Sequence, residues 1–238
     1  MERREMLAAG AAGLAVLGGG AALAQEKKVP KEDSAHGGPP LSADAAALLL
    51  IDHQVGLLSL VGDYTPEEFR NNVLALAGCG KTFKLPTILT TSAETGPNGV
   101  IMPELKKMYP DAPYIPRPGQ INAWDNEDYV AAVKKTGRKQ LIMAGVVTDV
   151  CVAFPALSAL AEGFQVFAVA DASGTFNKQV ADAALMRISS AGAVITNWFA
   201  VACELQRDWR NDAEGLANLL ANHLPAYKNL ITSHNAKQ

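Results

Sequence analysis

Two rhythms of apolar residues alternate along this chain. Short, nearly unbroken apolar or β-branched runs occur at Leu48-Leu49-Leu50-Ile51, Pro86 to Thr91, Pro113 to Ile115, Gln140 to Val147, Gln165 to Ala170 and Ala193 to Thr196. Such runs predict strands covered on both faces. Between them lie segments with helical spacing. Thr65 reads as an N-cap, with Pro66 at the first helical position and Glu68 three residues after the cap. Phe69, Val73, Leu76 and Ala77 then fall on one face. Further helices are predicted at Pro103 to Met108, Asp125 to Lys135, Cys151 to Ala161 and Lys178 to Ser190. Gly137 and Gly163 end the second and third of these. An amphipathic tail helix spans Cys203 to Leu224, with Trp209, Leu216, Leu219 and Leu220 apolar. This alternation predicts βαβ units and a mostly parallel, six-stranded, doubly wound sheet with helices on both faces.

The first residues follow a different pattern. Arg3-Arg4 precedes an apolar, small-residue stretch from Met6 to Ala24, and Ala22-Leu23-Ala24 is an A-x-A cleavage site before Gln25. Residues 1–24 resemble a twin-arginine signal, which places the mature protein in a bacterial periplasm without a stable membrane anchor. Residues 25–42 read as a polar linker rich in Gly and Pro, and 43–238 as one domain. Charged residues make up 19% of the chain and the net charge is −3, with no basic run among aromatics, which argues against a nucleic-acid partner. The three cysteines, Cys79, Cys151 and Cys203, leave at least one thiol unpaired, so no disulfide scaffold is expected. There is no G-x-G-x-x-G, Walker loop or G-x-S-x-G elbow, and His36, His53, His223 and His234 form no metal-ligand pair. The expectation is therefore no cofactor and no metal.

The chemistry gathers at strand ends. Asp52 closes the first strand, Arg117 follows the third, and Cys151 lies just past Gly145-Val146-Val147-Thr148-Asp149-Val150. Ligands bind at the carboxyl ends of the strands in open α/β sheets. Thr148 or Asp149 can cap the helix after the fourth strand, placing Cys151 in its first turn, where backbone N–H groups and the helix dipole favour a thiolate. A nearby carboxylate can take the thiol proton and return it to a leaving amine. Arginine is always charged, so its role is electrostatic: stabilising the thiolate and orienting a substrate carbonyl. Taken singly, Cys151 fits a buried inert cysteine equally well, and Asp52 with Arg117 a structural ion pair. His53 points to the other side of the strand and reads as a packed histidine. Glu94, Asn122 and Trp124 are candidate substrate-pocket residues, Trp124 being equally suited to the core.

The segments Leu50-Ile51-Asp52-His53-Gln54, Arg117-Pro118 with Asn122-Ala123-Trp124, and Gly145 to Val152 resemble the signature segments of the isochorismatase-like cysteine hydrolases, and among them the YcaC-like hydrolases. The resemblance runs from about Ala43 to the C-terminus. It implies a three-layer α/β/α fold and an Asp, basic residue and Cys triad carried by Asp52, Arg117 and Cys151. It also implies a non-proline cis peptide at Val146–Val147 that turns a backbone N–H into an oxyanion hole. Many relatives have Lys where this chain has Arg117. The implied activity is hydrolysis of C–N bonds in a small amide-type molecule through a Cys151 acyl-enzyme. The alternative from another class is a redox or electrophile-scavenging protein using the same low-pKa Cys151. YcaC-like relatives form rings, which implies a ring-like homo-oligomer here, possibly an octamer.

Overall fold

The computed structural model describes residues 40–236, so the signal-like segment 1–24 and residues 25–39 of the expected linker lie outside the described residues. Six strands, β1 (Ala46–Ile51), β2 (Thr87–Ser92), β3 (Tyr114–Arg117), β4 (Gln140–Gly145), β5 (Gln165–Val169) and β6 (Val194–Thr196), form one sheet in the order β3-β2-β1-β4-β5-β6. Every pairing is parallel. Among the described residues the helices are α1 (Pro66–Thr82), α2 (Pro103–Met108), α3 (Glu127–Lys135), α4 (Ala153–Ala161), α5 (Lys178–Ser190), α6 (Trp198–Gln206), α7 (Ala213–His223) and α8 (Pro225–Asn235). Because side chains alternate along a strand, β1 feeds two cores. Leu48 and Leu50 pack with Val73 and Leu76 of α1 and with Val201 of α6. Leu49 and Ile51 pack with Tyr129 of α3, Ala156 of α4 and Ile188 of α5. The result is the three-layer, doubly wound architecture the patterning predicts.

Local chemistry explains the element ends. Thr65 accepts from the Glu68 N–H, and Asn126, Asn177 and Asn197 cap α3, α5 and α6 in the same way. Four expectations shift. The domain begins before residue 43: Leu41 is fully buried, its N–H donates to Glu204, and its carbonyl accepts from Arg207 at 2.6 Å. Strand β4 stops at Gly145 rather than Val147, because Val146 leaves the ladder to bridge Gly174, and the Val146–Val147 peptide is cis. The helix expected from Asp125 starts at Glu127, after a 3₁₀ turn at Ala123–Asp125. The single tail helix expected over Cys203 to Leu224 is the end of α6 followed by α7, because Arg207 and Asp212 take positive φ (65° and 36°), and a further helix, α8, starts at Pro225.

The order of strands sets the site. The winding direction reverses between β1 and β4, so the loops that leave their carboxyl ends diverge and open a crevice. Asp52 follows β1 and Cys151 follows β4.

Candidate active site

The site is assembled from three strand ends. Asp52 turns out of β1 with φ 55°, a left-handed conformation that costs a non-glycine residue energy. It is held there by its N–H bond to the Thr90 carbonyl at 2.9 Å. Ala93, just past β2, repeats the turn with φ 47°. Arg117 is the last residue of β3, paired with Ser92 across the sheet. Its side chain is fully buried and ion-paired with Asp52. Nε donates to Thr90 Oγ1 at 3.1 Å, Nη1 to the carbonyls of Gln120 and Ile121, and Nη2 to Asp52. These bonds tie the loop after β3 to the end of β1.

Cys151 lies in a π-turn, Thr148–Val152, that precedes α4. Neither Thr148 nor Asp149 caps it, contrary to expectation. Asp149 instead accepts from Thr175 Oγ1 at 2.7 Å, fixing the turn to the loop after β5. The Cys151 N–H is spent on the Val147 carbonyl at 2.8 Å. The Cys151 thiol and the Asp52 carboxylate lie close enough to interact.

The electrostatics correct a further expectation. Burial pushes the Cys151 thiol up, the Asp52 carboxylate pushes it further, and the backbone at Val147 and Arg117 oppose this only weakly. Burial at this site therefore favours the neutral thiol over the thiolate. Burial likewise raises the Asp52 carboxyl above the usual 3.8, against the pull of Arg117. A thiol that keeps its proton beside a carboxylate of raised basicity is an acid and base pair waiting for an electrophile.

A pocket of about 190 Å³ opens beside the thiol. It is lined by Cys151, Val146 and Val147, by Ser92, Ala93 and Asn98 at the β2 end, and by Leu57, Gly119 and Ile121. Arg117 does not line it, and its donors are turned to Thr90, Gln120, Ile121 and Asp52. Glu94, Asn122 and Trp124 do not line it either. Glu94 bonds Thr91 and Tyr114, Asn122 caps the 3₁₀ turn, and the Trp124 indole N–H donates to Glu162 at 2.8 Å from within the core. A larger cavity, about 490 Å³, lies between α7 and α8, lined by Leu216, Leu220, Tyr227 and Leu230 among others, with no cysteine in its lining.

Three polar residues organise the pocket, of which sequence reasoning missed Gln54 and Ser92 as site residues. Gln54 clamps Ser92 by both backbone groups: Nε2 donates to its carbonyl at 2.9 Å and Oε1 accepts from its N–H at 2.9 Å. Asn98 Nδ2 donates to the Ser92 carbonyl at 3.0 Å and to Ser92 Oγ at 3.2 Å. Ser92 Oγ in turn donates to Asp52 at 3.5 Å. The faint signal in sequence is Gln54, which directly follows Asp52-His53.

His53 is fully buried, its Nε2 bonded to the Ala172 carbonyl at 3.0 Å and its ring stacked on Phe69, a packed histidine as its strand position predicts. Burial lowers it from 6.5 to about 4. The unfolded chain therefore takes up this proton first. The stability from His53 is present above pH 6.5 and lost as pH falls from 6.5 to about 4. The advantage of wild type over His53→Gln should shrink by about 3 kcal/mol between about pH 7 and pH 4, read from urea unfolding. Asp171, raised to about 6, acts in the opposite sense but is common to both proteins. A difference independent of pH contradicts the assignment.

Comparison with known proteins follows the same lines. The profile of the isochorismatase domain matches residues 46–199. The probable hydrolase YcaC of Escherichia coli K12 is 66% identical over 194 residues, 82% of this chain and 93% of its own length. The crystal structure of E. coli YcaC, described as an octameric hydrolase of unknown specificity, superimposes with a TM-score of 0.83 at 65% identity, covering 84% of this chain and 98% of that one. YcaC from Pseudomonas aeruginosa, solved with hexane-2,5-diol and covalent acrylamide, gives 0.82 at 67% identity, covering 82% and 97%.

Proposed function

This chain is a hydrolase of the isochorismatase family, and we propose that it cleaves the C–N bond of a small amide through a thioester on Cys151. The observation that carries the reading is the Cys151 thiol at the wall of a pocket, beside the buried, Arg117-paired Asp52. Asp52 takes the thiol proton as sulfur attacks the carbonyl carbon, forming a C–S bond and an oxyanion. The Val147 N–H, which lines the pocket and has no acceptor among the described residues, is the donor suited to that oxyanion. Collapse breaks the C–N bond, and the proton on Asp52 goes to the leaving amine. Asp52 then takes a proton from water, hydroxide attacks the thioester, the C–S bond breaks, and the proton returns to sulfur. Arg117 acts from behind: it keeps Asp52 ionised between proton transfers.

The covalent acrylamide in the P. aeruginosa relative supports a reactive nucleophile, because acrylamide bonds through its electrophilic alkene. The thiol-scavenger reading draws on the same adduct, but it rests on a low-pKa Cys151, and burial moves this thiol the other way. A panel of small amides, assayed for amine release, tests the assignment. The acid limb of kcat/KM should fall above the usual aspartate value of 3.8, because activity is lost as Asp52 protonates. Amine release from none of the amides, or an acid limb at or below that value, contradicts it.

Two further proposals concern the setting. Arg3-Arg4 and Ala22-Leu23-Ala24 support export to the periplasm, tested by fractionation of cells expressing the full chain. The octamer of E. coli YcaC, with exposed Val100, Met186, Trp209 and Leu230 here, supports a ring-like homo-oligomer. Light scattering at micromolar concentration should give a mass several times 25.1 kDa. A monomer contradicts this.

A further inference from the structure

The pocket wall that bears Cys151 contains no charge that a ligand can reach. Its polar side chains besides the thiol are Ser92 and Asn98, both neutral. The two ions of the site are buried behind it and already paired with each other. Four of the five N–H groups of Arg117 have protein acceptors: Thr90, Gln120, Ile121 and Asp52. A carboxylate entering the pocket would lose its water beside Asp52 and find no cation in return, and burying an unpaired charge is costly.

Asn98 is placed to select for the neutral alternative. Its Nδ2 is committed to Ser92, which fixes the orientation of the amide. Its Oδ1 has no partner among the described residues, and is not sealed from solvent. It is an acceptor, suited to the N–H of a carboxamide whose carbonyl faces the other wall at Val147. A volume of about 190 Å³ is below the 300–1,000 Å³ of sites for drug-sized ligands, so the acyl part is short. Resting on the hydrolase reading above, we propose that the site selects short, uncharged carboxamides and rejects their carboxylate counterparts, with Asn98 as the residue that reads the amide.

A matched pair of alkylating probes tests this without requiring turnover. Iodoacetamide and iodoacetate each give a thioether: the thiol proton passes to Asp52, the S–C bond forms as the C–I bond breaks, and iodide leaves. Rates at Cys151 are read by peptide mass and divided by the rates of each probe with free cysteine. The normalised preference for iodoacetamide should be about tenfold or more. Asn98→Ala should slow iodoacetamide about three- to tenfold while leaving iodoacetate unaffected, whereas a merely structural loss would slow both alike. Ile121 is 65% exposed at the pocket, so Ile121→Lys is tolerated there and should raise the iodoacetate rate about threefold, an effect removed by salt. Equal normalised rates in wild type overturn the selectivity and leave the nucleophile standing. Equal slowing of both probes in Asn98→Ala overturns the role of Asn98. A Cys151 labelled by neither probe, beside a labelled Cys203, overturns the hydrolase reading itself.

Discussion

Cys151→Ala is expected to abolish turnover, a loss of about 10⁶-fold, as when a nucleophile is removed from a group that acts as a unit. The substitution deletes one sulfur atom at the edge of a pocket, so stability should change by only about 1 kcal/mol. No charge is stranded, because burial favours the neutral thiol and the Asp52–Arg117 pair remains intact. Amine release measured beside a urea melt separates the two effects. A folded Cys151→Ala protein that keeps measurable turnover contradicts the nucleophile assignment.

Asp52→Asn should lower the rate by about 10²- to 10⁴-fold through loss of the general base. It should also destabilise the fold by about 3–5 kcal/mol, because the fully buried Arg117 guanidinium is left without its counter-charge. Arg117→Met should cost a similar amount, for the converse reason. Arg117→Lys should recover only part, since one ammonium cannot serve Thr90, Gln120, Ile121 and Asp52 together. The double variant Asp52→Asn/Arg117→Met removes both charges. Its loss of stability should be smaller than the sum of the single losses, yet its turnover should stay as low as that of Asp52→Asn. Additive destabilisation in urea would mean that the two ions are not coupled. Recovery of turnover in the double variant would remove Asp52 from the chemistry.

The parts of the fold legible in the sequence are those where burial is complete. Strands β1, β2 and β4 are buried at every position, so their runs carry no solvent-facing residue to blur them. Asp52, Arg117 and Cys151 are visible because strand ends punctuate such runs, and a parallel sheet gathers those ends on one edge. The state of the thiol was not legible. It depends on burial and on a carboxylate 99 positions earlier in the chain, while the local pattern suggested only a helix start. The roles of Gln54 and Ser92 escaped notice because their bonds run between separate loops. Trp124 lies in a signature segment, yet its indole turns into the core toward Glu162. The tail breaks at Arg207 and Asp212, where neither glycine nor proline marks the turn.

The most direct test of the Cys151 acyl-enzyme is the mass of the protein quenched in acid during turnover of a small amide that the panel has identified. The account predicts an added mass equal to the acyl group, carried on the peptide that contains Cys151 and decaying as substrate is exhausted. In Asp52→Asn the two steps that need the base should both slow, whereas Cys151→Ala should carry no adduct. Continued amine release with no acyl group ever found on Cys151, or an adduct that persists in Cys151→Ala, contradicts it.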